Sequence, residues 1–195
     1  MEGLVIPYTA ERRSDTGVSN GTLGIWLFLA SEAMLFGALF SAYALLRVSA
    51  TDWPASGREI LGTKSVVSMT LALFGITAMV WSASKPRDRG RSRQFPLLLS
   101  AALAVCFLAF KTLDYYSKAS LDLLPSSTMF LALYYTLTGF HALHVLGGLV
   151  ANLWAARGVG AVDDAITIGR IKALSLYWSF VDVVWIAILV AFYAT

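Results

Sequence analysis

FLALYYTLTGFHALHVLGGLVANLW, residues 130–154, is long and apolar enough to cross a bilayer, yet it holds both of the chain's histidines, His141 and His144. A polar pair at mid-membrane depth is costly and marks a position with a task. Three residues apart on a helix, the two rings lie roughly 60° apart around the axis, on one side. Further along, Gly147, Ala151 and Ala155 recur every fourth residue, a small-residue stripe that lets another helix pack close. The segment therefore faces protein, and polar groups on other helices are expected to meet it.

The remainder of the chain extends this reading. Of 195 residues, 57% are hydrophobic and 14% charged, and the mean hydropathy is +0.68. These values lie outside the balance of a soluble domain, and apolar runs of membrane-spanning length recur. We expect an all-α polytopic membrane protein with five transmembrane helices, at about 22–46, 64–84, 95–116, 127–157 and 173–193. Residues 1–21 form a polar N-terminal segment and 22–195 the membrane domain. Ser19-Asn20-Gly21 suit the start of the first helix. The loop after it carries Trp53-Pro54 and Gly57, read as turn formers with an interfacial aromatic. The opening MEGLVIPYTAERRSDTG lacks the basic-then-apolar pattern of a signal peptide and is expected to be retained. The single cysteine, Cys106, sits within a span, so neither a disulfide framework nor a cysteine metal site arises within one chain.

The net charge of +3 reflects membrane topology rather than nucleic-acid binding, because the basic residues cluster in short loops. With the N-terminus in the cytoplasm, Arg12, Arg13, Lys85, Arg87, Arg89, Arg91, Arg93, Arg157, Arg170 and Lys172 fall inside. Only Arg47, Arg58, Lys64 and Lys118 fall outside. The positive-inside rule then gives a cytoplasmic N-terminus and an outer C-terminus. No repeat of the spans is evident, which disfavours an inverted-repeat transporter.

Glu32 lies about 15 Å into the first span at 1.5 Å per residue, walled by Phe28 and Phe36 one turn away on either side. Ala33, Gly37 and Ser41 form a second small stripe beside it. Asp182 lies midway through the last span between Trp178 and Trp185, whose N–H groups are candidates to donate to it. Glu32, His141, His144 and Asp182 thus share one depth on three helices and form a candidate intramembrane network, either proton-handling or polar glue between helices. A haem is disfavoured, since two histidines on one side of one helix cannot supply both axial ligands. Zinc would need further ligands that do not cluster here. Lys111 and Asp114, one turn apart, can neutralise each other. Arg157, Arg170 and Lys172 are candidates for lipid phosphate, with topology alone as the plainer reading. No P-loop, dinucleotide fingerprint, HExxH or nucleophile elbow is present.

Four segments carry a family resemblance. GIWLFLASEAMLF (24–36), TGFHALHVLG (138–147) and YWSFVDVVW (177–185) resemble, in family order, three segments of subunit III of haem–copper terminal oxidases. FLAFKTLDY (107–115) is a weaker fourth match. Five spans resemble the short bacterial form, which implies the bacterial cytoplasmic (inner) membrane. The resemblance implies a subunit with no redox centre of its own, packed against the catalytic subunit I that holds haem and copper. It further implies a lipid-filled cleft binding phospholipid, and roles in stabilising subunit I, proton uptake and oxygen access. Glu32, His141, His144 and Asp182 fall on the family's motif positions. Ser179 stands where the family usually has His, Asp114 replaces a Glu, and Lys172 sits where an acid is common. Two alternatives stay open: an accessory protein of nitric oxide reductase, for which Lys111–Tyr115 and the short form argue, and an independent proton-coupled carrier, suggested by the mid-membrane acids.

Overall fold

The computed structural model describes residues 17–50, 53–54, 57–61, 64–85 and 91–193. The first sixteen residues, with Arg12 and Arg13, and the loop arginines Arg87 and Arg89 lie outside the described residues, as does the side chain of Arg58.

Five helices are long and apolar enough to cross a membrane: α1 (Asn20–Ser49), α3 (Lys64–Ser84), α4 (Arg91–Ala119), α5 (Met129–Gly158) and α6 (Asp164–Tyr193), with a short α2 (Gly57–Leu61) between the first two. The expected all-α, five-span architecture is present. The thirty-residue helices α1, α5 and α6 are each about 45 Å long, more than the roughly 30 Å of hydrocarbon, while the 21-residue α3 about matches it.

The largest boundary difference is at α6, which begins nine residues before the expected 173. Asp163 starts it: its carboxylate accepts from the Ala165 N–H at 2.7 Å and its carbonyl from Thr167 at 2.9 Å, satisfying donors that a helix start leaves free. Thr167 and Ile171 in these first turns are buried while Lys172 is exposed. An amphipathic entry of this kind falls below a hydropathy threshold. Ser19 caps α1 as expected, accepting from the Thr22 N–H at 3.3 Å.

Gly57 does not mark a turn but opens α2, and it is there for space. A Cβ at this position would lie 1.9 Å from the carbonyl oxygen of Phe192. Trp53 fills the neighbouring corner, its ring edge-on to Tyr43 at 5.5 Å and Phe130 at 5.3 Å.

α3, α4, α5 and α6 close into a four-helix ring in which each packs on two neighbours, and α1 leans on it from outside against α6 and α5. Inside the ring lie Leu73, Ile76, Val80, Leu97, Phe107, Val145, Ile171 and Trp178, all buried. A second cluster, around Phe130, Tyr134, Ile188 and Phe192, fills the end where α5 begins and α6 finishes. Lipid is as apolar as these side chains, so cohesion comes from close packing and inter-helix hydrogen bonds rather than from escape from water.

Both devices meet at Gly148. Its Cα faces the Trp178 indole so closely that a Cβ would lie 2.5 Å from the ring. Seated there, Trp178 donates to Asn152 Oδ1 at 3.0 Å, and Asn152 donates to Ser100 Oγ at 2.9 Å. Ser100 in turn donates to the Leu97 carbonyl at 2.7 Å. One buried chain of hydrogen bonds thus ties α6 to α5 to α4. The expected tight seat at Gly147 is shifted by one residue, and of the predicted stripe only Ala155 is buried.

Candidate functional site

The four mid-membrane ionisable groups do not form one network. Glu32 and His144 do meet: α1 and α5 bring the Glu32 carboxylate to 2.9 Å from His144 Nε2, with both side chains partly buried. The other ring nitrogen, Nδ1, lies 2.7 Å from the Phe140 carbonyl, one turn back on α5. Phe36 packs at a tilt against the imidazole at 5.0 Å. From α6, Tyr177 donates to the His144 carbonyl at 2.7 Å and packs on Phe28 of α1 at 6.1 Å. Of the two phenylalanines expected to wall Glu32, Phe36 is buried against the His144 ring, whereas Phe28 is exposed and packs on Tyr177.

His141 goes elsewhere. It is buried, with Nε2 3.2 Å from the Val181 carbonyl, and its ring packs on Phe107 at 5.7 Å and Trp185 at 5.1 Å. A carbonyl only accepts, so Nε2 carries a proton, and Nδ1 has no partner among the described residues. The 60° between the two rings is enough to send one into the ring of helices and the other toward α1.

Asp182 is buried against α3 beside Thr77, and its Oδ1 has no partner among the described residues. The tryptophans expected to donate to it are committed to other partners, Trp178 to Asn152 and Trp185 to Thr70 Oγ at 3.0 Å. Indoles extend away from their own helix, so their N–H groups reach neighbouring helices rather than a carboxylate one turn away.

A second polar centre lies where α4 ends and α5 begins. Lys111 and Asp114 pair as expected, at 3.4 Å. Lys118 also bonds the Asp114 carboxylate, and Tyr134 of α5 donates to it at 2.8 Å while accepting from Lys111 at 2.8 Å. All three charged residues are buried, and the Lys111 ammonium lies over the Tyr115 and Tyr134 rings at 4.6 and 4.5 Å. Lys118, counted from sequence as a loop charge, is drawn inside by this cluster. Ser179, one of the family departures, is exposed and bonds only back to the Ser175 carbonyl at 2.9 Å.

The groove between α1 and the ring begins at a mouth of about 580 Å³ lined by Ser19, Thr22 and Ile25 of α1 and by Arg170, Lys172 and Ala173 of α6. It continues into an apolar trough of about 390 Å³ walled by Phe28, Gly147, Ala151, Leu174 and Tyr177. Arg170 belongs to both and lies over the Trp154 ring at 4.2 Å. Two of the three lipid candidates, Arg170 and Lys172, therefore sit at one mouth. Arg157 is exposed and lines neither space. Gly147 and Ala151 shape this trough instead of seating a helix. Ala33, Gly37 and Ser41 stay exposed on α1. No three His, Cys, Asp or Glu gather as a metal site among the described residues.

Sequence reading missed Tyr134, Asn152 and Tyr177. Asn152 carried a usable signal, an amide inside an apolar span. The tyrosines did not, since aromatic residues are common at these depths.

The profile of the family described as Cytochrome c oxidase subunit III matches residues 9–195. A cytochrome c oxidase subunit 3 of Synechocystis is 32% identical, with the match covering 87% of this chain and 73% of that protein. A cytochrome bo(3) ubiquinol oxidase subunit 3 of Pseudomonas aeruginosa is 30% identical, covering 92% and 86%. A probable cytochrome c oxidase subunit 3 of Nocardia farcinica is 33% identical, covering 90% and 87%. With five membrane-crossing helices and a family match over nearly its whole length, this multi-pass membrane protein belongs to the cytochrome c oxidase subunit III family.

Proposed function

We propose that the chain is the non-redox subunit III of a bacterial aerobic haem–copper oxidase, seated in the cytoplasmic membrane with its N-terminus inside. It packs against the catalytic subunit I, which carries the haem and copper, and keeps that subunit active during turnover by holding phospholipid and supporting proton uptake and oxygen access. Relatives named for both cytochrome c and ubiquinol oxidases support the shared role; the electron donor is a property of the partner.

The observation that carries the reading is the groove. Its mouth offers Arg170 and Lys172 beside the N-terminal end of α1, a set suited to a phosphate. Its trough offers an apolar wall suited to an acyl chain. Glu32 and His144 lie one turn beyond Phe28 and Tyr177, at the deep end. The test compares the oxidase purified with and without this chain. The reading expects fewer bound phospholipids and a shorter active lifetime when it is missing, and reduced phospholipid retention when Arg170 and Lys172 are both replaced by Gln. Equal lifetimes and equal lipid content would count against it.

A further inference from the structure

The Phe140 carbonyl only accepts hydrogen bonds, so the 2.7 Å contact requires a proton on His144 Nδ1. The 2.9 Å contact between Nε2 and the Glu32 carboxylate then needs one further proton. It can sit on the acid, facing a neutral ring, or on the ring, facing a carboxylate. Without it, a carboxylate oxygen and a nitrogen lone pair would oppose each other at hydrogen-bond distance. From this geometry we propose that Glu32 and His144 form a one-proton binding site whose occupancy holds α1 against α5. This deepens the reading of the groove given above by naming what regulates its width, and it depends only on this chain's own helices.

The surroundings fit such a latch. Besides this pair, Tyr43 near the far end of α1 donates to the Ala191 carbonyl. Phe28, Phe36 and Tyr43 add ring packing. Among the groups facing the pair, α6 contributes Tyr177, which bonds the His144 backbone. α5 contributes His141, turned toward Val181. On α1, residues 28–36 carry no other ionisable group. Asp182 faces α3 and Lys111 is held by Asp114 and Tyr134. Each of these described groups is bonded away from the Glu32 carboxylate and His144 Nε2 or lies against another helix.

The sign follows from linkage. The closed form needs the shared proton, whereas a hydrated open form does not, so raising the pH favours opening. Opening separates Phe28 from Tyr177 and widens the trough.

The test places spin labels at Leu27→Cys on α1 and Val150→Cys on α5, both exposed, in a Cys106→Ser background. The full chain, purified with whatever it binds, is measured in nanodiscs from about pH 5 to about pH 10. The expected result is one short distance at low pH and a second, longer population that grows as pH rises. Glu32→Gln should hold the short distance at every pH, because its amide N–H donates to Nε2 without a titrating proton. Glu32→Ala should show the longer population throughout. A wild-type distribution unchanged with pH, or a Glu32→Gln chain as pH-responsive as wild type, overturns the latch. If that chain still brings down a haem partner, the subunit III reading survives the failure.

Discussion

α1 and α5 are both thirty-residue apolar helices, yet α5 buries twelve residues within the chain and α1 only Leu29, Phe36 and Tyr43. The three fall seven residues apart, a single narrow seam. α5 is held by a glycine seat for Trp178, by a three-helix chain of hydrogen bonds and by the buried charge cluster at its start. α1 is held at mid-depth by one Glu–His pair and a few rings. The contrast separates two uses of polar groups inside a membrane. In the ring of helices the Trp178–Asn152–Ser100 chain and the cluster around Asp114 are buried and mutually bonded, and they fix one arrangement. At the α1 seam the Glu32–His144 pair is only partly buried and, as proposed above, shares a single proton, which leaves the arrangement adjustable beside the groove.

The contrast is broken most severely by Asp114→Ala. It leaves Lys111 and Lys118 buried without their anion, and we expect a loss of about 3–5 kcal/mol, read as a lowered unfolding midpoint in detergent. A midpoint within error of wild type would show that the cluster contributes little. Gly148→Ala should come next, at about 1–3 kcal/mol for forcing the Trp178 ring from its seat. An unperturbed Trp178 fluorescence and midpoint would argue that the seat is looser than the geometry indicates. Asn152→Ala is expected to cost about 1 kcal/mol, the scale measured for inter-helix hydrogen bonds in membranes. Finding no loss would transfer the holding role to packing alone. Glu32→Gln should be the mildest, within about 0.5 kcal/mol of wild type, since the amide keeps a hydrogen bond to His144. It should leave assembly intact while altering turnover lifetime. If the complex vanished from the membrane, Glu32 would rank with the structural groups of the ring, and the contrast between the two seams would collapse.

The five spans were legible because hydropathy is a sum over many residues and tolerates local error. The start of α6 was not, because its first turns are amphipathic and Asp163 begins the helix by a local bond that no window average senses. The positions of Glu32, His141, His144 and Asp182 along their helices were readable from residue counting. Their partners were not, since a helix face spans enough angle for His141 and His144 to reach different neighbours. Trp178 and Trp185 teach the same point: spacing placed them beside Asp182, but an indole N–H belongs to whichever helix it reaches. Gly57 and Gly148 show why glycine identity alone is ambiguous. Both are required by close approach, to the Phe192 carbonyl and to the Trp178 ring, and each contact exists only after the helices have assembled.

The most direct measurement is a mild-detergent pulldown of this chain, followed by a reduced-minus-oxidised optical spectrum and an oxygen-uptake assay on what accompanies it. The account predicts a haem-bearing partner that consumes oxygen. A haem partner that consumes nitric oxide but not oxygen, or no haem partner at all, would contradict it.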